Sequence, residues 1–245
     1  MGKRERLDRL LVERKLVVSR EEGRGRILAG DVLVDDRPIT KAGTLVAVDV
    51  AIRFRSTPQP YVSRGGIKLE KALREFQINV TGKTALDVGA STGGFTDCLL
   101  VHGAARVFAV DVGYGQLAWK LRNDARVVIF EKTNVRYLEL RALPMAADLA
   151  TIDVSFISLK LVLSQVKSLL IPGGEIIALI KPQFEVGKGR VGKGGVVRSL
   201  EEHLRVIDEV KNAARQLGFM VRGVTESPLM GPKGNKEFLI HLAQG

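Results

Sequence analysis

Short apolar segments alternate with helical periods along the last three quarters of this 245-residue chain. The apolar runs predict strands at residues 84–89, 106–111, 127–131, 149–154, 175–180, 219–225 and 237–243. Apolar residues at helical spacing predict helices at residues 94–102, 114–123, 159–170 and 199–217. Such an alternation favours a mostly parallel sheet with right-handed crossovers and helices on both faces. We therefore expect an α/β fold in which a ligand binds at the carboxyl ends of the strands.

The first 55 residues follow a different pattern and predict a separate, small α+β domain. Leu7, Leu10 and Leu11 fall at helical spacing. Ser19, followed by acidic residues, is a typical N-cap for a helix over residues 20–29. The apolar run at 32–34 and the alternating apolar residues from 46 to 52 predict strands. Residues 56–60 hold two prolines and no periodicity, so we predict a linker there and a second domain over residues 61–245.

The composition indicates a polyanionic partner. The chain has 38 Lys and Arg residues against 27 Asp and Glu residues, a net charge of +11 that most simply indicates nucleic acid. The apolar runs are too short to span a membrane, and the amino-terminal segment lacks the apolar part of a secretory signal. A single cysteine, Cys98, excludes a disulfide framework and a multi-cysteine metal site. We expect a cytoplasmic protein without a membrane or metal partner, in which Cys98, Trp119 and Phe130 serve packing.

A glycine-rich loop follows the first strand of the predicted α/β domain. A helix begins at its end, and its candidate ligand-binding residues are Asp87, Gly89, Ala90, Ser91, Gly93 and Gly94. The backbone of such a loop approaches a ligand closely, and amide groups at the helix start hold an anionic group. Ser91 stands where a dinucleotide-binding fingerprint has a glycine, which weighs against a nicotinamide cofactor and an oxidoreductase.

The pattern D-x-G-x-x-x-G-G-F in this loop resembles motif I of S-adenosylmethionine-dependent methyltransferases. The resemblance implies S-adenosylmethionine as the cofactor. It implies that Asp111, at the end of the next strand, binds the ribose hydroxyls of that cofactor. It also implies an adenine contact for Asn134, which follows the third strand. Phe156 is a further candidate for the border of the cofactor pocket, because it lies three residues after Asp153.

A second glycine-rich segment, residues 187–194, nearly spells a Walker A phosphate-binding loop. Its last position is Gly194, where that motif needs Ser or Thr for Mg²⁺, and the segment begins well beyond its strand. We therefore interpret it as a flexible basic loop near the active face. Its basic side chains are those of Lys188, Arg190 and Lys193, which are suited to contacts with RNA phosphates.

Four ionisable residues occupy positions that a doubly wound sheet brings to one edge. Lys68 lies in the helix after the linker, Asp153 ends the fourth strand, Lys181 ends the fifth and Glu237 opens the last. All four converge if the last strand is antiparallel. This ordered set resembles the catalytic tetrad of FtsJ-like ribose 2′-O-methyltransferases. The resemblance implies that Lys181 orients or deprotonates a ribose 2′-hydroxyl, with the other three completing the network.

The first 55 residues resemble the S4 RNA-binding domain. The resemblance rests on residues 6–11, 19–20 and 27–35, with a continuation at 41–46 and Asp49. It implies that basic side chains beside the small sheet contact RNA phosphates. Across both domains the candidate RNA contacts are Arg4, Arg6, Arg20, Arg24, Arg26, Arg64, Lys188 and Arg190.

Together these segments resemble the TlyA family over nearly the whole chain. The resemblance implies a class I, Rossmann-like methyltransferase with a mostly parallel seven-stranded sheet and an amino-terminal S4 domain. It implies 2′-O-methylation of a cytidine in ribosomal RNA, with ribosomal RNA or a ribosomal subunit as the partner. Two alternatives stay open. They are a ribosome-assembly factor that binds RNA without catalysis, against which the intact tetrad weighs, and a membrane-active haemolysin, against which the lack of a long amphipathic basic helix weighs.

Overall fold

The computed structural model describes residues 3–17, 19–55, 60–187, 190–192 and 194–245. The chain forms two compact units, Met1–Gln59 and Pro60–Gly245, which we describe separately. Apart from Pro60, the predicted linker lies outside the described residues. Lys188 and Lys193 of the predicted basic loop also lie outside them.

The first unit combines short helices with short antiparallel strands. Its helices are α1 (Leu7–Glu13) and α2 (Arg20–Leu28). Its strands are β1 (Arg4–Arg6), β2 (Val32–Val34), β3 (Arg37–Pro38), β4 (Leu45–Ala47) and β5 (Ile52–Phe54). Strand β1 pairs with β4, and β2 lies between β3 and β5, with every pair antiparallel.

The apolar residues of α1 supply much of the core of this unit. Leu7, Leu10 and Leu11 are buried in a cluster that α2 and β2 share. Ser19 caps α2, because its side chain accepts a hydrogen bond from the backbone N–H of Glu22. This bond satisfies one of the donors that a helix start leaves free.

The alternating apolar residues from 46 to 52 do not form a single strand, so that prediction is wrong. The chain turns between β4 and β5, and Arg14 donates hydrogen bonds to the backbone carbonyls of Val48 and Val50 there. A side-chain donor thus satisfies carbonyl groups that a continuous strand would offer to a neighbouring strand. Arg14 lies 34 residues before Val48, so a local pattern could not reveal the turn.

The second unit is built on a central sheet flanked by helices. Its strands are β6 (Thr84–Val88), β7 (Arg106–Val110), β8 (Val127–Phe130), β9 (Ala147–Ile152), β10 (Leu170–Ile180), β11 (Phe219–Glu226) and β12 (Phe238–Gln244). Its helices are α3 (Gly65–Glu75), α4 (Gly94–Val101), α5 (Trp119–Arg122), α6 (Leu163–Ser168), α7 (Pro182–Glu185) and α8 (Leu200–Gln216). Among the described residues the strands form one seven-stranded sheet in the order β11, β12, β10, β9, β6, β7, β8. Strand β12 is antiparallel to both neighbours and the other pairs are parallel, which confirms the predicted fold class.

Alternate strand residues pack on opposite faces of this sheet, as the two-residue period of a strand requires. Leu86 and Phe108 belong to a core that includes residues of α6 and α8. Ala85 and Val107 belong to another core that includes residues of α3 and α4. Both faces are therefore covered, which a parallel sheet needs because its strands are apolar on both sides.

The helix predicted at 114–123 is reduced to α5, which has four residues. The N–H of Gly113 donates to Asp111 Oδ1 at 2.7 Å, and the N–H of Gly115 donates to Glu131 Oε1 at 2.8 Å. Gly115 also has a φ of +71°, which a right-handed helix does not allow. Carboxylates therefore hold this segment as a loop.

Two of the three predicted packing residues are confirmed. Cys98 is fully buried, and Phe130 packs edge-on against Phe108 with 6.2 Å between ring centroids. Trp119 is 73% exposed, so its predicted packing role is wrong. It begins a helix of a single turn, in which Leu121 is the buried residue.

The region between the fourth and fifth strands also differs from expectation. The helix predicted at 159–170 is a 3₁₀ turn, Leu159–Leu161, followed by the shorter α6. Pro172 and the two following glycines lie within β10, where the register to β9 shifts between Leu170 and Glu175. Such an irregularity accommodates a proline inside a sheet strand.

Within the described ranges, no helix is long and apolar enough to cross a membrane. The same ranges contain no group of three or more His, Cys, Asp or Glu side chains that could hold a metal ion.

Candidate active site

The antiparallel strand β12 brings its own start to the edge at which the parallel strands end. Asp153 directly follows β9, Lys181 directly follows β10, and Glu237 directly precedes β12. Ile180 pairs with Phe238 in the register between β10 and β12. Lys181 and Glu237 therefore lie at neighbouring strand ends, as we predicted for an antiparallel last strand.

Lys181 is held by two side chains from the segment after β9. Its Nζ lies 2.6 Å from Asp153 Oδ1 and donates a hydrogen bond to Ser155 Oγ at 2.9 Å. Lys181 is buried, and the centre of the Phe184 ring lies 6.0 Å from its Nζ. An anion and a hydroxyl thus fix the ammonium in position. Sequence reasoning missed Ser155, although it lies only two residues after Asp153.

Lys68 and Glu237 form a second ion pair. Lys68, in the first turn of α3, places its Nζ 2.5 Å from Glu237 Oε2. The Glu237 side chain is fully buried, and its Oε1 has no hydrogen-bond partner among the described residues. Gly231 allows the chain to pass close by, since a β-carbon there would lie 1.9 Å from that oxygen. Leaving a buried acceptor unsatisfied costs about 1–3 kcal/mol, so Glu237 Oε1 is suited to a hydroxyl donor.

The described residues line two adjoining cavities at this edge. The larger has a volume of about 840 Å³, within the range of small-molecule sites. Its walls come from the ends of β6 to β9 and include Gly89, Ser91, Asp111, Asn134, Asp153 and Phe156. The walls of the smaller include Arg64, Lys68, Gly89, Ala90, Ser91, Gly94, Asp153, Met230 and Gly231. Because Gly89, Ser91 and Asp153 line both, the cavities meet beside Asp153.

The glycine loop has a shape that larger residues would prevent. Gly89 has a φ of +84°, and a β-carbon there would lie 2.6 Å from the carbonyl oxygen of Asp153. Gly93 has a φ of +96°, and a β-carbon there would lie 2.2 Å from Leu121 Cδ1. Gly93 therefore packs against α5, whereas Gly89 lets the end of β6 approach the end of β9. Ser91 also takes the left-handed conformation, with a φ of +50°.

Asp111 links the glycine loop to the end of β7. Its Oδ2 accepts a hydrogen bond from the N–H of Ser91 at 2.8 Å, and its Oδ1 accepts one from the N–H of Gly113 at 2.7 Å. Each carboxylate oxygen keeps a further lone pair, so these bonds leave Asp111 able to accept from a ligand. Asn134 is fixed in a similar way, because its Oδ1 accepts from the N–H of Arg136 at 3.1 Å.

Asp87 lies behind the glycine loop and is completely buried. Its carboxylate accepts hydrogen bonds from Thr96 Oγ1 at 2.6 Å and Thr151 Oγ1 at 3.0 Å. Burial raises the pKa of Asp87 to about 6, although the two hydroxyls oppose that shift. The side chain thus ties β6 to α4 and β9, a bracing position that differs from the predicted direct contact with a cofactor.

The buried Glu185 fixes the 3₁₀ turn that follows Ser158, because it accepts hydrogen bonds from Ser158 Oγ at 2.6 Å and from the N–H of Leu159 at 2.7 Å. Burial raises the pKa of Glu185. We did not predict a role for Glu185 from the sequence. Its position one turn after Lys181 was the only sign of one.

Buried Asp8 brings two of the candidate RNA contacts together in the first unit. Arg6 and Arg20 both pair with its carboxylate. Arg26 is instead held inside the unit, since it pairs with Asp31 at 3.2 Å and its guanidinium lies 4.4 Å from the centre of the Phe54 ring. Arg26 is thus less available to RNA than the sequence suggests.

The remaining candidate RNA contacts are dispersed. Arg4 donates to a backbone carbonyl of β4 at 2.8 Å, and Arg24 is exposed on α2. In the second unit, Arg64 lines the smaller cavity and Arg190 lies 3.9 Å from a glutamate of α8. Lys188 lies outside the described residues.

Comparisons with known proteins cover both units. The FtsJ-like methyltransferase family model matches residues 61–244, and the S4 domain model matches residues 5–52. The 16S/23S rRNA (cytidine-2'-O)-methyltransferase TlyA of Mycobacterium tuberculosis is 47% identical over 243 residues, which cover 99% of this chain and 91% of that protein. Hemolysin A of Brachyspira hyodysenteriae is 40% identical over 237 residues, which cover 96% and 98% respectively. A solved structure from Streptococcus thermophilus with a provisional hemolysin assignment has a TM-score of 0.77 and 42% identity, covering 100% of this chain and 90% of that chain.

We expect Gly89→Ala to destabilise the second unit more than Gly82→Ala. Both glycines have positive φ, which costs a non-glycine residue about 1–2 kcal/mol. Only at position 89 does the new β-carbon meet backbone, whereas position 82 has no atom within 4 Å. The clash adds about 1–3 kcal/mol. Urea unfolding measures both losses, and equal losses would contradict the close approach of β6 and β9.

We expect Asp87→Asn to change how stability depends on pH. Because the pKa of Asp87 is raised from 3.8 to about 6 in the folded state, its stabilising contribution is full below pH 4 and is lost as the pH rises through 6. The variant lacks this titration. The free energy of unfolding of Asp87→Asn relative to the wild type should therefore rise by up to about 3 kcal/mol between pH 4 and pH 7. Parallel pH profiles in urea unfolding would show that Asp87 does not titrate in this range.

Proposed function

The chain belongs to the TlyA family, in which an S4 domain precedes an FtsJ-like methyltransferase domain, and we propose that it methylates the 2′-hydroxyl of a cytidine ribose in ribosomal RNA with S-adenosylmethionine as methyl donor. The observation that carries this proposal is the pair of ion pairs at one end of the sheet, Lys68 with Glu237 and Lys181 with Asp153, of which Lys68 lines the smaller cavity and Asp153 lines both. Residues 1–55 are then the S4 domain, 56–60 the linker and 61–245 the methyltransferase domain.

The larger cavity fits the cofactor. Asp111 retains acceptor capacity for a ribose diol, and Asn134 offers an amide for an adenine edge. Gly89 lines both cavities, so the backbone at the end of β6 borders their junction. When bound there, the cofactor supplies an electrophilic methyl group on a sulfonium. The Asp153 carboxylate beside the junction favours that positive charge.

The smaller cavity fits the target ribose. A 2′-hydroxyl is a weak nucleophile, so transfer depends on its alignment with the methyl group and on removal of its proton. As an ammonium paired with Asp153, Lys181 orients the hydroxyl and stabilises developing negative charge. To act as a base, Lys181 must first pass its proton to Asp153, whose oxygen is 2.6 Å away. Either route requires both members of the pair.

Glu237 and Lys68 hold the ribose on the opposite side. The unsatisfied Oε1 of Glu237 accepts a hydrogen bond from a ribose hydroxyl, while Oε2 stays paired with Lys68. The segment around Gly231 must give way slightly for this contact, because it closes over that oxygen. Lys68 supplies the opposite charge that a buried carboxylate needs.

Basic side chains supply affinity for the RNA. The net charge of +11 and the cations of the S4 domain favour a structured polyanion such as a ribosomal subunit. Phosphate contacts of this kind fix orientation, while the methyltransferase domain selects the reacting ribose. Action on ribosomal RNA places the reaction in the cytoplasm.

We expect Lys181→Ala to abolish methyl transfer while cofactor binding persists. The variant removes the group that aligns and activates the hydroxyl, so the rate should fall by at least about 10²–10⁴-fold. Incorporation of tritiated methyl groups into 30S and 50S subunits measures the rate, and calorimetry measures cofactor binding. Lys83→Ala is the matched control, because Lys83 also pairs with a carboxylate, that of Glu175, but at the opposite end of the sheet.

A folded Lys181→Ala variant that methylates at the wild-type rate would overturn the catalytic assignment. If the wild type binds ribosomal RNA but neither binds the cofactor nor transfers methyl groups, the chain is an RNA-binding assembly factor instead. Mapping of the modified nucleotide then tests whether the target is a cytidine ribose.

We expect Glu237→Gln to slow methyl transfer by about 10²-fold through misplacement of the ribose. The substitution preserves shape but leaves Lys68 beside a neutral amide. Cofactor affinity should change little, since Glu237 lies on the side of the smaller cavity. Glu226→Gln is the control, because Glu226 also pairs with a lysine but is exposed. Equal rates for the two variants would exclude a role for Glu237 in alignment.

A further inference from the structure

Asp8 is a fully buried carboxylate between two arginines of the first unit. Its Oδ1 accepts a hydrogen bond from Arg6 Nε at 3.0 Å. Its Oδ2 accepts from Arg6 Nη2 at 3.1 Å and from Arg20 Nε at 2.8 Å. Burying an ionised carboxylate is costly unless it is paired, and these three bonds satisfy it. They hold the pKa of Asp8 down at about 2 against the opposing effect of burial, so it is ionised at neutral pH.

The exposure of the three side chains is unequal. Asp8 is completely buried, whereas the side chains of Arg6 and Arg20 are 41% and 49% exposed. The bonds to Asp8 use one edge of each guanidinium and leave its other N–H groups outside these contacts. Arg6 comes from β1 and Arg20 from the first turn of α2, so one carboxylate oxygen joins two separate elements.

The charge of this cluster remains positive. Two guanidinium groups against one carboxylate leave these three side chains with a net charge of +1, while Glu5 lies beside Arg6. A phosphate diester matches it, because planar guanidinium groups donate paired hydrogen bonds to phosphate oxygens. The exposed pair of Arg53 and Asp36 in the same unit is neutral, with both side chains more than 60% exposed, and has no such surplus.

We propose that Asp8 is a positioning residue that holds Arg6 and Arg20 together as one phosphate-binding pair for the RNA backbone. The proposal rests on the RNA substrate of the proposed function and adds the residue that organises its recognition. Asp8 itself does not touch the RNA. It fixes the two arginine side chains before the RNA binds. Binding then costs less side-chain entropy.

Two roles for Asp8 predict opposite effects of its neutralisation. If Asp8 served only to balance charge, Asp8→Asn would remove a negative charge near the phosphates and RNA affinity would rise. If Asp8 positions the arginines, the same substitution releases them and RNA affinity falls despite the more positive charge. The sign of the change therefore separates the two roles.

The experiment measures binding of the full chain to transcripts of 16S and 23S ribosomal RNA over a range of KCl concentrations. We expect Asp8→Asn to weaken binding by about tenfold and to make the slope of log affinity against log salt shallower by about one to two, which corresponds to lost phosphate contacts. Asp36→Asn is the matched control and should bind at least as well as the wild type. Urea unfolding establishes that each variant is folded.

A double-mutant cycle locates the effect. In an Arg6→Ala, Arg20→Ala background, Asp8→Asn should cause no further loss of affinity, because nothing remains to be positioned. If Asp8→Asn does not fold, an Arg6→Lys, Arg20→Lys variant serves instead, since it keeps the charge but loses the forked geometry and should also bind more weakly.

A folded Asp8→Asn variant that binds as tightly as the wild type, or more tightly, would overturn the proposal. So would an equal loss of affinity in the double-alanine background, or wild-type affinity in the double-lysine variant. These outcomes leave the proposed function intact if the wild type still methylates ribosomal RNA. A wild type that binds neither the transcripts nor the 30S and 50S subunits overturns both proposals.

Discussion

The antiparallel pairing of β12 with β10 is the constraint on which the candidate active site depends. In a purely parallel sheet, residues at strand starts lie at the edge opposite to residues at strand ends. Because β12 runs against β10, Glu237 at its start meets Lys181 at the end of β10. The register also matters, since a slip by one residue would move every β12 side chain to the opposite face of the sheet. Ile240 and Leu242 in one core and Leu239 in the other oppose such a slip.

Paired charges make this edge tolerable inside a folded protein. Two lysines and two carboxylates lie close together, and each would be costly to bury alone. They form the pairs Lys181 with Asp153 and Lys68 with Glu237, so these four side chains together carry no net charge. The pairing also leaves groups that can interact with a ligand. Glu237 Oε1 has no hydrogen-bond partner among the described residues, and Asp153 lines both cavities.

The sequence was informative where a local pattern decides the structure. Apolar runs located every strand of the large sheet, and the order of acids and lysines at their ends located the converging residues. It failed where distant partners decide. Glu131 holds the loop at Gly115, Arg14 bends the chain after β4, and Thr151 takes one oxygen of Asp87, 64 residues earlier in the chain. Glu185 and Ser155 were missed for the same reason, since their roles depend on which strands become neighbours.

The exposure of each ion-paired partner distinguishes the kinds of ion pair in this chain. Where the carboxylate is buried and the cation is exposed, as with Asp8 and its arginines, the acid can act only by fixing the cation. At the active edge, Lys181 is the more buried partner of Asp153, which is 24% exposed. There Lys181 and Asp153 hold each other in position, and Asp153 is accessible from both cavities. Asp153 therefore borders both cavities while it is paired with Lys181, the arrangement that the proposed transfer of a methyl group between two ligands requires.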